Sequence, residues 1–188
     1  AFVVGMVTRI RHSRRIDITL DAVNILADRF PRIQLLIVGR GRKGAVETVV
    51  ESPAKYMGID HKVVLPGYCA GDRLVAAYRA MDVLVYPMPG TDQTCRTVRE
   101  ALACGTPVLA PKIGFLPDLV EEGINGRFIQ LSAESLAIVL ADVIGSPERL
   151  RRMKQEAAKG ARVRFSTQLQ AQKVLAFYET LMADNQSH

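Results

Sequence analysis

Two carboxylates, Asp92 and Glu100, lie in the stretch TDQTCRTVREALACGTPVLAP (91–111). It connects two apolar runs, DVLVYP (82–87) and PVLA (107–110), so both acids fall between strands that the pattern buries. With a helix starting near Thr94 or Cys95, the first peptide N–H groups have no intrahelical acceptor and point into a crevice. Those amides, at Thr94, Cys95, Arg96 and Thr97, suit an anion such as a diphosphate, and the helix dipole adds to them. Glu100 follows about a turn and a half into the helix and offers two oxygens to a ribose diol. Asp92, at the mouth, offers the same to the hydroxyls of a sugar carried beyond the phosphates. Gly105 and Pro107 then end the helix. Acids on a surface helix also serve hydration alone, and the spacing by itself leaves both readings open.

A second set is cationic. The loop TRIRHSRR (8–15) carries Arg9, Arg11, Arg14 and Arg15, and RGRKG (40–44) carries Arg40 and Arg42. GRGRKG, from Gly39 to Gly44, has the G-x-G-x-x-G spelling of a dinucleotide turn. It follows the second strand, however, and the next strand ends in Leu65-Pro66-Gly67 with no acid for a ribose. A tight basic turn is the better reading.

These loops need elements to hold them. β-branched runs at 2–7, 33–39, 62–67, 83–87, 107–110 and 126–131 alternate with amphipathic helical stretches. The helical stretches include 16–30, a segment after residue 45 interrupted at Pro53, and the short LPDLVEEG (116–123). Ser132 and Glu134 open a capped helix, and helical patterns run on to residue 183. Such alternation predicts an α/β fold: a doubly wound, Rossmann-like parallel sheet with helices on both faces, in one domain spanning 1–188. Ligands then bind outside the carboxyl ends of the strands, where the candidate loops are.

Composition narrows the partners. The chain of 188 residues carries a net charge of +6, which admits an anionic ligand or an acidic membrane surface. With 6% aromatics and no Trp it lacks the stacking surface of a single-strand binder, so no nucleic-acid partner is expected. Cys69, Cys95 and Cys104 are odd in number, have no metal-ligand spacing and suit a reducing compartment, with Cys104 expected in the core. No apolar run reaches membrane-spanning length.

Asp92-x7-Glu100, followed by ALACGTPV (101–108), resembles the E-x7-E and E-A-x-A-x-G-x-P-V signatures of retaining family 4 glycosyltransferases (glycosyl transferases group 1). GMVTRI (5–10), LLIVGRG, VVLPGY, MDVLVYP and IGFLPDLVEEGINGRFI resemble the family's other segments in order and spacing. The resemblance covers nearly the whole chain. It implies the C-terminal, donor-binding half of a GT-B enzyme, whose N-terminal acceptor half is absent from this sequence.

On that resemblance Glu100 holds the ribose and Asp92 stands where the family has a Glu touching the donor sugar. Arg9 and Arg14 match the family's R-x4-K pair, which clamps the diphosphate and stabilises the leaving group. The amides around Thr94, Cys95, Arg96 and Thr97 cradle phosphate, while Gly39, Arg40 and Tyr68 fall where the base is enclosed. Arg15 stands at a usual Gly, Phe115 at the second Gly of the loop after PVLA, and Asp118 at a Glu. Phe115 is expected to narrow a loop that needs backbone freedom.

The implied activity is transfer of a hexose from a UDP- or GDP-type nucleotide sugar to an acceptor hydroxyl with retention and without metal or other cofactor. The acceptor, a sugar or lipid-linked molecule, would be held by the other half, so the isolated domain is expected to be inactive. A cytoplasmic location, with contact at the inner face of the membrane, goes with that reading. Two alternatives stay open. One is a GT-B-like sugar-nucleotide epimerase, for which His12 is the nearby candidate; the other is a non-catalytic nucleotide-binding module.

Overall fold

The computed structural model describes residues 1–91 and 95–185. Six strands form one parallel sheet in the order β3-β2-β1-β4-β5-β6. They are β1 (Phe2–Val7), β2 (Ile33–Val38), β3 (Val63–Gly67), β4 (Val83–Val85), β5 (Val108–Pro111) and β6 (Gly126–Ile129). The order reverses between β1 and β4. A crevice therefore opens at their carboxyl ends, where the chain leaves β1 and β4 in opposite directions.

Every strand is followed by a helical segment, which is what parallel pairing requires. The helices are α1 (Ile16–Leu26), α2 (Ser52–Tyr56), α3 (Gly71–Ala80), α4 (Arg96–Ala103), α5 (Ala133–Ile144), α6 (Pro147–Arg164) and α7 (Thr167–Asn185). The doubly wound fold is thus as expected, with a separate core on each face of the sheet. One core joins Val4 and Met6 of β1 to α1, α2 and α5; the other joins Leu84 and Val108 to α3, α4 and α6. Asp82 ties the amino ends of the central strands β1 and β4 to α6. Its carboxylate accepts from the Val3 amide at 2.9 Å and from Lys154 Nζ at 2.6 Å.

Two helical expectations are corrected. Pro53 does not interrupt its helix, because the turn before it, Glu47–Glu51, widens to a π-helix. There the Ser52 amide reaches back to the Glu47 carbonyl, and Pro53 falls in the first turn of α2, where its missing N–H costs nothing. LPDLVEEG is no helix beyond the single 3-10 turn Leu116–Asp118. Asn125 diverts the segment that follows: its side chain accepts from the Glu121 amide at 2.8 Å and donates to the Leu119 carbonyl at 3.1 Å. Ser132 caps α5 as expected, accepting from the Ser135 amide at 3.2 Å. Cys69 and Cys95 are buried, whereas Cys104, expected in the core, is only half-buried.

Candidate functional site

The ladder between β1 and β2 continues past the strands. Thr8 N–H donates to the Val38 carbonyl at 2.9 Å, and Ile10 N–H to the Arg40 carbonyl at 3.0 Å. Gly39 makes this approach possible, since a Cβ there would lie 1.8 Å from the Thr8 carbonyl oxygen. The Gly39 amide in turn donates to the Gly67 carbonyl at 2.9 Å. Three loops leaving neighbouring strands are thereby fixed by backbone bonds rather than by side chains.

Together with the start of α4 they enclose a cleft of about 510 Å³. Arg9, Gly39, Arg40 and Tyr68 line its sheet side; Arg96, Thr97 and Glu100 line its helix side. Seven of the residues singled out from the sequence thus meet in one place. The Arg40 guanidinium stacks 5.2 Å from the centroid of the Tyr68 ring, holding an exposed aromatic face at the rim.

Glu100 is fixed on both oxygens. Tyr78 of α3 donates its hydroxyl to Oε2 at 2.8 Å, and Arg96 Nε donates to Oε1 at 2.8 Å, one turn earlier on α4. Tyr78 is buried, and burial first, then the Glu100 charge, pushes its pKa up, so it remains a donor at any ordinary pH. Thr106 holds Tyr78 from behind, its hydroxyl donating to the Tyr78 carbonyl at 2.7 Å. The bond to Glu100 likewise holds the Arg96 pKa above its usual value. A carboxylate anchored by two donors keeps its remaining lone pairs at a set angle to the cleft.

Thr97 and Arg14 carry the opposite signature. Thr97 Oγ1 is buried with no hydrogen-bond partner among the described residues, beside the cleft that Thr97 lines. Arg14 lies outside that lining, on the β4 side, where Nη1 donates to Met88 Sδ at 3.5 Å. Its Nε is buried and unpartnered, and burial, then the charges of Arg11 and Arg9, pull its pKa below the guanidinium norm. A half-buried cation facing other cations is an arrangement that an anion would relieve.

Other expected residues fall elsewhere. Asp92 and Thr94 lie outside the described residues. The Cys95 amide, expected at the anion site, instead donates to the Thr91 carbonyl at 2.9 Å, and its side chain is fully buried. Among the described residues, the α4 amides left for an anion therefore begin at Arg96 and Thr97. His12 lines a separate recess with Asp17 and Asp21, away from the cleft, which removes the side chain an epimerase reading relied on.

Phe115 does not strain its loop. Its backbone is helical (φ −75°), and the position that demands glycine is Gly114 (φ +64°), where a Cβ would lie 2.1 Å from the Gly90 carbonyl oxygen. Arg15, in contrast, adopts the left-handed conformation (φ 51°), the one described residue other than glycine to do so. Sequence reasoning missed Tyr78 altogether. Nothing in its spacing relates it to Glu100, because the contact crosses from α3 to α4.

Residues 1–160 match the family described as glycosyl transferases group 1. The chain is 31% identical over 182 residues to a D-inositol 3-phosphate glycosyltransferase of Segniliparus rotundus, covering 96% of this chain and 40% of that protein. The chain thus spans about two fifths of the length of that curated relative. Among solved structures it is similar to HepE of Anabaena in complex with UDP and glucose (TM-score 0.82, 24% identity). That match covers 95% of this chain and 48% of the other. It is similar also to the C-terminal domain of the group 1 glycosyl transferase LpcC from Francisella tularensis (TM-score 0.77, 19% identity), covering 88% of this chain and 87% of that one.

Proposed function

The chain belongs to the glycosyl transferases group 1 family, and from that premise we propose that residues 1–188 are the donor-binding half of a retaining hexosyltransferase. The observation that carries the proposal is the Glu100 carboxylate, held by Tyr78 and Arg96 in a cleft at the sheet's switch point. In this reading it accepts both hydroxyls of a ribose. The base lies against Tyr68 and Arg40, at the rim beyond β2 and β3. UDP is the nucleotide bound in the similar HepE structure, and a GDP-type donor would use the same contacts.

The diphosphate would lie between the start of α4 and the arginines. The amides of Arg96 and Thr97 and the Thr97 hydroxyl donate to it, Arg9 reaches it from β1, and Arg14 from the β4 side. As the bond between sugar and diphosphate breaks, charge grows on the leaving oxygens. Fixed guanidiniums and amides then lower the barrier by electrostatic preorganisation. We assign this role to Arg9 and Arg14 in place of a metal, and to Asp92 a contact with the sugar. A sugar or lipid-linked acceptor would enter with a further half of the protein, against which α7 would pack. Without that half, donor binding remains and transfer does not. The basic charge of +6 suits peripheral contact with an anionic leaflet on the cytoplasmic side. Among the described residues no helix is long and apolar enough to cross a membrane.

Calorimetric titration with UDP, GDP and ADP, without metal and then with magnesium, tests the reading. One diphosphate binds without metal and more weakly at high salt. Glu100→Ala costs about 1–3 kcal/mol of its affinity, and Arg14→Ala flattens the salt dependence. Binding indifferent to Glu100→Ala would remove the ribose role.

A further inference from the structure

A second recess, of about 580 Å³, opens beside the nucleotide cleft. Its lining includes four arginines, Arg9 and Arg11 from the loop after β1 and Arg40 and Arg42 from the loop after β2. Among the described residues no carboxylate lines it. Several arginines elsewhere have carboxylate partners: Arg127 with Glu122 and Asp142, Arg149 with Asp142, Arg151 with Glu148, Arg164 with Glu121. Among the described residues none of the four in the recess has an ion pair.

Four like charges on flexible loops would spread apart in water. Here the backbone prevents it. The Ile10–Gly41 bridge and the Ile10 N–H bond to the Arg40 carbonyl zip the two loops together, and buried Ile10 pins the zipper to the core. Arg40 is further held over Tyr68. The fold therefore maintains a concave, solvent-facing cluster of fork-shaped donors whose shape and charge suit a multivalent anion. A concave recess of this size fits a compact phosphate-bearing group; a polymer backbone calls for an extended stripe instead.

We propose that this recess is a second anion site, which takes a phosphate group carried by the acceptor or by a lipid headgroup while the donor diphosphate occupies the neighbouring cleft. The proposal rests on the donor reading of that cleft, since a diphosphate there engages Arg9 and Arg14 and leaves Arg11 and Arg42 without a ligand. Arg9 and Arg40 border both cavities, so occupation of one site screens the repulsion felt in the other.

The test titrates inorganic phosphate into the chain at low salt, first alone and then saturated with the nucleoside diphosphate that binds. Arg11→Ser/Arg42→Ser leaves both zipper bonds intact and touches no residue of the nucleotide cleft. A melting curve confirms that it folds. Phosphate is expected to bind the nucleotide-saturated chain, with affinity at least ~10-fold lower (~1.4 kcal/mol) in the double variant and nucleotide affinity changed far less. Phosphate binding that nucleotide abolishes, or that the double variant retains in full, overturns the proposal. So does the absence of phosphate binding to the native chain.

Glu100→Gln separates the two readings, because it weakens nucleotide and spares phosphate. If no nucleotide binds at all, the donor reading fails while the phosphate titration still decides this one. Sedimentation with phosphatidylcholine vesicles, with and without phosphatidylglycerol, identifies the source. Anionic-vesicle binding lost in the double variant assigns a headgroup; phosphate binding without vesicle binding assigns a soluble phosphorylated ligand.

Discussion

Tyr78→Phe removes one oxygen atom and keeps the ring. The hydroxyl donates to Glu100 Oε2 at 2.8 Å, and hydrogen bonds to charged acceptors contribute about 1.5–3 kcal/mol. The Glu100 side chain is 28% exposed, so water replaces part of that bond and the expected loss of stability is about 1–2 kcal/mol. For a chain of this size that lowers the melting temperature by about 2–8 °C. Among the described residues Glu100 then keeps its anchor to Arg96, whose side chain is 83% exposed and easily displaced by water. The carboxylate becomes free to rotate, and nucleoside-diphosphate affinity is expected to fall about 10-fold.

A pH arm sharpens the same test. The Tyr78 pKa is raised in the folded chain, so the folded state holds its proton where the unfolded state releases it. Stability from this group is complete below the ordinary tyrosine pKa, about 10, and declines as pH rises above it. Tyr78→Phe should flatten that alkaline decline. Scanning calorimetry from neutral to alkaline pH and isothermal titration with nucleotide read both effects. A variant that melts lower yet binds nucleotide as tightly as the native chain would reduce Tyr78 to a packing residue. One unchanged in melting and in affinity would refute the hydrogen bond itself.

Arg15→Gly should stabilise the chain. Left-handed backbone costs a side chain about 1–2 kcal/mol, glycine's extra freedom when unfolded returns about 0.4–1 of it, and the lost Asp17 pair is solvent-exposed. A net gain of about 0.5–1 kcal/mol in chemical denaturation is expected, with none for Arg15→Ala; equal gains for both would point away from backbone strain. Thr97→Val replaces a buried, unpartnered hydroxyl by a methyl group. It should leave the ligand-free chain as stable or up to about 1 kcal/mol more so, and weaken nucleotide binding. Tighter or unchanged binding would take the hydroxyl out of the phosphate site.

The sheet was legible because each strand is a short contiguous run followed by a helix, and parallel pairing leaves few topologies for that alternation. The same topology explains why Arg9, Arg40, Tyr68 and Glu100 could be grouped from sequence alone. All follow the carboxyl end of a strand, and those ends share one edge of the sheet. Tyr78 was not legible, since its partner lies 22 residues away on another helix and the pair forms only once both pack on the sheet. Nor was the capture of the Cys95 amide by Thr91, which depends on how the chain enters α4. Pro53 misled for a related reason: a widened turn absorbs a proline that an ideal helix rejects.

The cleft and its β4 side carry donors that the ligand-free chain leaves unmet. Thr97 Oγ1, beside the cleft, and Arg14 Nε, on its β4 side, are buried without partners among the described residues, as is Thr19 Oγ1 on α1. Each unmet donor lowers the stability of the ligand-free chain, and a stray side chain or a local shift would satisfy it if the backbone could move. It cannot, because the loops are extensions of the ladder: Thr8 on Val38, Ile10 on Arg40, Gly39 on Gly67. Binding at the site can thus meet donors that folding leaves unmet. A ligand that meets those donors must therefore raise the melting temperature with its concentration. The gain should shrink in Thr97→Val and Arg14→Ala, the variants in which less is left to satisfy.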